Sequence, residues 1–265
     1  MMRVGVIGAG RMGVPMISRL VAAGHHVTAL GRSPEKRDAV TELGASAASD
    51  HVEVADGADV VIVCVFTDEQ VREICVAADL TAAMSAEAVL VLHTTGSPHT
   101  AEQVAALAAP RHVGVVDAPV SGGPHDIAAA HLTVFAGGDD QAVAHARPAL
   151  ESYADPVLHV GPLGAGQRVK LINNALFAAQ VGLVAEGVRL GRRLGIDEPT
   201  LLNALVNGSA GSRALSGVAA TGSADAFIAR VGEFIGKDVA VVRRAAADLH
   251  TDLGLLDRVV DAGLR

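Results

Sequence analysis

Along the first part of the chain, short and nearly unbroken apolar runs alternate with stretches of helical spacing. The runs are residues 4–7, 26–30, 58–65, 88–93, 113–117, 132–136 and 157–160. Runs that lack the in-out alternation of a half-exposed strand are typical of strands covered on both faces in a parallel sheet. Between them, Ile17, Leu20 and Val21, then residues 35–43, then 141–153, show helical periodicity, with a small element at 45–48 followed by polar linker residues. Strand and helix in alternation predict a doubly wound α/β sheet, in which ligands bind at the carboxyl ends of the strands. The pattern changes after Gly161-Pro162-Leu163-Gly164-Ala165-Gly166, a glycine-rich hinge. Residues 167–194 form one long helical stretch, apolar on nearly every side, and helices are expected at 199–206, 225–231, 237–249 and 253–264. The predicted organisation is an α/β domain over 1–161 and an all-α domain over 162–265.

The first strand runs into Gly8-Ala9-Gly10-Arg11-Met12-Gly13 and then into a helix. In this context the glycines have separate tasks. Gly8 allows the turn off the strand, Gly10 lets backbone approach a pyrophosphate, and Gly13 lets helix and strand pack closely. The helix N-terminus adds free N–H groups and a positive dipole end. The loop therefore predicts a Rossmann-type dinucleotide site over Gly8, Gly10, Arg11, Met12 and Gly13. At the end of the second strand, where an acidic residue would grip the ribose hydroxyl of NAD, the chain has Gly31-Arg32-Ser33-Pro34-Glu35-Lys36. Arg32 and Ser33 suit the 2′-phosphate of NADP, with NAD kept as the alternative. Read only as structure, Arg32 is a solvated loop charge and Ser33-Pro34 a helix start.

Composition narrows the class. The chain has 265 residues, half of them hydrophobic, with five Phe, one Tyr and no Trp, so Ala, Val, Leu and Gly must build the core. A net charge of -8 argues against a nucleic-acid partner. Cys64 and Cys75 make no metal-ligand pattern and fit a reducing, cytoplasmic setting. No signal peptide is expected at the start, and no metal site. No run of about 18 residues is apolar without interruption, so no membrane span is expected. The long apolar helix exceeds what a short helical domain would cover, which predicts a homodimer.

Candidate chemistry sits after the strands and at the start of the long helix. Thr95 lies where ribose or nicotinamide would rest, or else caps the next helix. Ser121, Gly122 and Gly123 follow a buried strand. The glycine pair is read as leaving its backbone N–H groups open as a nest for a carboxylate. Lys170 and Asn174 are four apart and share one helix face. A lysine amid such apolar surface is costly unless it has a task or a partner, and burial would let the amine exchange protons near neutrality; otherwise it snorkels to solvent. Lys237, read as opening a helix, opposes the dipole there, and a nearby anionic ligand would account for it. Asp238 favours the dipole.

Four blocks together resemble the β-hydroxyacid dehydrogenase family, which includes 3-hydroxyisobutyrate and 6-phosphogluconate dehydrogenases. They are Gly8-Ala9-Gly10-Arg11-Met12-Gly13-Val14-Pro15-Met16, Asp117-Ala118-Pro119-Val120-Ser121-Gly122-Gly123, the stretch from Gly164 to Asn174, and Phe234-Ile235-Gly236-Lys237-Asp238. The resemblance implies hydride transfer between a nicotinamide cofactor and a small 3-hydroxy acid or semialdehyde. Lys170 would be the general acid/base, and Asn174 would orient the substrate. Ser121, Gly122 and Gly123 would hold the substrate carboxylate or hydroxyl, and Lys237 would line the cofactor cleft. It also shows departures. Ile127 and Ala130 stand where the family commonly has Ala then Gly, Leu92-His93-Thr94-Thr95-Gly96 stands where it often has an Asp and a Ser-Thr pair, and the sequence stops soon after Leu264. An imine reductase on the same fold, or a non-catalytic NADP-binding protein, are the alternative readings; the presence of Lys170 weighs against both.

Overall fold

The computed structural model describes residues 1–248 and 250–263. The chain divides into two compact units, Met1–Lys170 and Leu171–Arg265. The first unit is built on a sheet of nine strands: β1 (Arg3–Ile7), β2 (His26–Leu30), β3 (Ser46–Ala48), β4 (Val60–Val63), β5 (Val89–Leu92), β6 (Gly114–Asp117), β7 (Val120–Ser121), β8 (Leu132–Gly137) and β9 (Ala154–Gly161). Its helices are α1 (Gly13–Ala22), α2 (Pro34–Glu42), α3 (His51–Ala55), α4 (Asp68–Arg72), α5 (Pro98–Ala108), α6 (Pro124–Ala128) and α7 (Asp140–Leu150). The strand order is β3-β2-β1-β4-β5-β6-β8-β7, with β9 beside β8. From β3 through β6 the pairings are parallel, while β8 runs antiparallel to β6 and β7.

The unbroken apolar runs are explained by burial on both faces. Val4, Val6, Val60, Ile62, Val89 and Val91 pack with Met16, Ile17 and Leu20 of α1. The intervening Ile7, Val61, Val63, Leu90 and Leu92 pack with Ala101 and Val104 of α5 on the other side. Where polar linker residues were expected after β3, the chain forms α3. Asp50 caps it by accepting from Glu53 N–H at 2.9 Å, and the Glu53 carboxylate accepts from Ser49 N–H at 2.7 Å. Helix α3 also packs close to β1, since a Cβ on Gly5 would stand 2.5 Å from the Val54 carbonyl oxygen.

The second unit contains most of α8 (Ala165–Arg193), then α9 (Glu198–Val206), α10 (Arg213–Thr221), α11 (Ala224–Asp248) and α12 (Leu255–Gly263). Ala178, Val181, Ala185 and Val188 of α8 pack with Leu202, Leu215, Val218, Phe227, Ile235, Val239 and Val260. Helix α10 was not anticipated, because its apolar content is modest. Ser212 caps it, accepting from Leu215 N–H at 3.1 Å, and Gly222 ends it at φ 83°. The two helices expected at 225–231 and 237–249 are one continuous helix. Gly232 and Gly236 suggest a break, but Phe227, Ile235, Val239 and Val242 keep one buried stripe running through it. Leu249 and Leu264, assigned to helix ends from sequence, lie outside the described residues.

The boundary between units falls later than residue 161, because the first turn of α8 is hydrogen-bonded to the tips of β5 and β6. By length and composition alone α8 is long and apolar enough to cross a membrane, a test that the core helix of a soluble protein also passes. Half of its most apolar window is buried inside the protein, as in a core helix.

Candidate active site

The glycine loop shows three different constraints. Gly8 has φ 117°, and a Cβ there would stand 2.1 Å from the Cys64 carbonyl oxygen. A Cβ on Gly13 would stand 1.8 Å from the Gly8 carbonyl oxygen, so backbone contact excludes it. Around Gly10 a Cβ would meet nothing within 4 Å. Packing therefore accounts for Gly8 and Gly13, whereas Gly10 is exposed with open space beside it. Helix α1 begins just beyond with no side-chain cap and no acidic residue in its first turn. The open space beside this helix start fits a pyrophosphate, with Arg11 exposed and Met12 half-buried at the same turn.

At the end of β2, Arg32 is exposed and no carboxylate stands at the strand end. Ser33 caps α2, its hydroxyl oxygen accepting from Lys36 N–H at 3.3 Å. A neighbour absent from the sequence reading is His51, the first residue of α3. Its imidazole is held below its usual pKa by burial and by the charge of Arg32. Its Nε2 is buried with no hydrogen-bond partner. Only the formation of α3 brings it there; its sequence neighbours read as linker.

Past β5, Thr94 is buried and its hydroxyl binds both the N–H (3.1 Å) and the carbonyl (3.0 Å) of Val65. This ties the tips of β4 and β5 together. Thr95 is half-buried, and the cap of α5 is Ser97, which accepts from His99 N–H at 3.2 Å. His93 is buried behind these residues. Its Nδ1 faces the Ala118 carbonyl and must donate, so Nε2 accepts from the Tyr153 hydroxyl at 2.7 Å. Burial pushes the imidazole down to about 4, against the pull of the Ala118 carbonyl, so the ring is neutral. Tyr153 was read as part of α7, but that helix ends at Leu150 and the tyrosine turns inward to this partner.

The loop from Asp117 to Gly123 differs from its sequence reading in two ways. Val120 and Ser121 form β7, paired with Val134 and Thr133 of β8. The Gly123 amide is not open, since it donates to Asp126 Oδ2 at 2.6 Å, closing the cap of α6. Gly122, at φ 131° and exposed, and the partly exposed Ser121 remain on this loop. A side chain at Gly122 would meet Asp126 and Leu132.

Lys170 is 9% exposed and Asn174 8%, one turn apart on α8. Within the second unit, Asn174 Nδ2 donates to Asp238 Oδ2 at 2.8 Å, and Asn173 Nδ2 donates to Asn174 Oδ1 at 3.2 Å. Lys237 Nζ lies 3.2 Å from Asp238 Oδ1, too poorly aligned for a hydrogen bond. Both residues sit in the middle of α11 rather than at a helix start. No helix-end dipole therefore acts on Lys237 or Asp238, and Asp238 instead orients Asn174.

Comparison with known proteins adds a second line of evidence. Residues 3–161 match the family model described as the NAD binding domain of 6-phosphogluconate dehydrogenase. Residues 164–261 match the NAD-binding domain of NADP-dependent 3-hydroxyisobutyrate dehydrogenase. The chain is 33% identical to a 3-hydroxyisobutyrate dehydrogenase of Pseudomonas aeruginosa, over 95% of this chain and 88% of the relative. It is 36% identical to an NAD-dependent L-serine dehydrogenase of the same organism, over 81% of this chain and 72% of the relative. A Mycobacterium tuberculosis 3-hydroxyisobutyrate dehydrogenase structure with L-serine superposes with a TM-score of 0.87 at 30% identity, covering 98% of this chain and 92% of that one.

Proposed function

Since the chain belongs to the β-hydroxyacid dehydrogenase family, as an NAD(P)-dependent 3-hydroxyacid dehydrogenase, we propose that it prefers NADP, acts on a small acid with a 3-hydroxyl or the matching semialdehyde, and uses Lys170 as general acid/base. The nicotinamide, when bound, accepts or supplies the hydride. On oxidation, Lys170 takes the proton of the substrate hydroxyl; on reduction, its ammonium returns one to the carbonyl oxygen. Asn174 keeps a fixed amide orientation through Asp238 and has a second N–H to offer the reacting oxygen. Ser121, with its hydroxyl, and Gly122, with its backbone, grip the carboxylate, so that the reacting atoms meet in line. Gly123 contributes by letting the chain turn, because its amide is committed to Asp126.

The observation that supports the lysine role is the burial of Lys170 on α8 one turn from Asn174, whose amide Asp238 orients. Arg32, at a strand end without a carboxylate, supports NADP. A second copy of the chain is the proposed cover for α8, whose Ile172, Leu176, Leu183 and Leu190 stay exposed along one stripe.

The test is cofactor turnover with 3-hydroxyisobutyrate, L-serine, succinic semialdehyde and glyoxylate, using both NADP(H) and NAD(H). Faster turnover with the phosphorylated cofactor is expected. Turnover with NAD(H) alone overturns the Arg32 reading and leaves the class intact. Lys170→Ala should lower kcat by about 10²- to 10⁴-fold while dinucleotide affinity is retained. An unchanged kcat overturns the lysine assignment.

A further inference from the structure

Two buried polar side chains, neither of them a reacting group, hold the first turn of α8 to the sheet. Asp117, the last residue of β6, is fully buried. One carboxylate oxygen accepts from Gly164 N–H at 2.6 Å and the other from Gln167 N–H at 2.7 Å. The carboxylate thus caps a helix whose preceding residue, Gly164, lies 47 residues further along the chain. Gln167, 3% exposed, grips the neighbouring strand tip. Its Oε1 accepts from Gly96 N–H at 2.9 Å and its Nε2 donates to the Thr94 carbonyl at 2.8 Å.

The contact is direct, backbone against carboxylate. A Cβ on Gly166 would stand 2.3 Å from the Phe135 carbonyl oxygen and 2.5 Å from that of Asp117. A Cβ on Gly137 would stand 2.4 Å from Asp117 Oδ1 and 2.7 Å from Gly166 N. No side chain fits between helix start and strand tips, so the helix start has little freedom to shift. Lys170 is three residues past Gln167, less than one turn of the same helix. Asp117 also leads directly into the loop carrying Ser121 and Gly122, and Thr94 adjoins Thr95.

We propose that Asp117 and Gln167 are positioning residues that hold Lys170 in register with the strand-end loops bearing the substrate and the nicotinamide, a role that rests on Lys170 being the acid/base. The lysine and the carboxylate-gripping loop then share one reference point, the Asp117 carboxylate. Displacement by about 1 Å is enough to cost roughly a hundredfold in rate. Binding of the dinucleotide to the glycine loop does not depend on this tie.

Asp117→Asn tests it, because an amide offers one acceptor where two N–H groups need two. Gln167→Leu, of similar volume, removes both bonds to the β5 tip and serves if Asp117→Asn fails to fold. Each variant is made alone and in the Lys170→Ala protein. Amide hydrogen exchange at Gly164, Gln167 and Gly96 is followed together with kcat and KM on the best substrate of the panel above. Expected are faster exchange at the released amides, a kcat about ten- to a hundredfold lower with KM and dinucleotide affinity little changed, and no further loss on the Lys170→Ala background. An equal fractional loss on that background, or a wild-type kcat with the amides released, overturns the positioning role alone. Full turnover by Lys170→Ala itself overturns the acid/base reading and the clamp's role with it.

Discussion

At the scale of single residues, burial and hydrogen bonding compete most sharply at Asp117. Burial pushes its carboxyl up to about 7, while the Gln167 and Gly164 amides and the charge of Arg168 pull it back. An unfolded Asp titrates near ~3.9, so the folded protein binds the extra proton between there and 7. The stability this group contributes is therefore present below about 4 and is lost as pH rises through about 7. Melting temperatures of wild type and Asp117→Asn, compared from pH 4 to 8, should show the wild type losing ground up to pH 7 and then holding level. A difference independent of pH would mean that the carboxyl titrates below this range. His93 has the opposite sign: its pKa of about 4 lies below the unfolded value, so its contribution is present above about 6.5 and is lost as pH falls. The burial of His93 between Ala118 and Tyr153 could not be read from Leu92-His93-Thr94, because its hydroxyl partner is 60 residues away.

At the scale of elements, the turn from β1 to α1 separates packing from binding. Gly10→Ala should leave thermal stability within about 0.5 kcal/mol, since its Cβ meets nothing within 4 Å. The same methyl group occupies the room beside the helix N-terminus and should weaken dinucleotide binding by tenfold or more, about 1.4 kcal/mol. Gly13→Ala should lower both stability and binding, because its Cβ cannot stand 1.8 Å from the Gly8 carbonyl oxygen. Calorimetric melting and fluorescence titration with NADPH measure the two effects. If Gly10→Ala binds as tightly as wild type, the pyrophosphate does not lie there. Helix α11 carries a different lesson. Glycines at 232 and 236 each weaken a helix by up to about 1 kcal/mol relative to alanine, yet the buried stripe from Phe227 to Val242 carries it through. Local propensity suggested a break, and tertiary burial removed it; that moved Lys237 and Asp238 from a helix end to a helix middle.

At the scale of the molecule, the exposed stripe on α8 bears on assembly. Leu183 and Ile172 are 59% and 60% exposed, and Leu176 and Leu190 continue the same face. Light scattering should give the wild type about twice the 26.9 kDa chain mass, and Leu183→Glu should shift it toward one chain. A wild-type monomer would remove the proposed second copy. What the sequence by itself determined is whatever depends on neighbours along the chain: the unbroken apolar strands, the long helix after the hinge, the glycine loop, and Lys170 with Asn174 one turn apart. Those features are repeated or motif-like, and a few residues of context state them. What only the tertiary structure decided depends on partners far apart in sequence. Asn174 meets Asp238 across 64 residues, Gln167 meets Thr94 across 73, and His51 comes within the influence of Arg32 once α3 has formed. The Gly123 amide marks the limit of motif reading even at short range. A glycine pair reads as open backbone, but whether its N–H is free depends on where the carboxylate three residues on finally points, and here Asp126 takes it. A hydrogen bond depends on position to within a few tenths of an ångström, which the order of residues states only after the chain has packed.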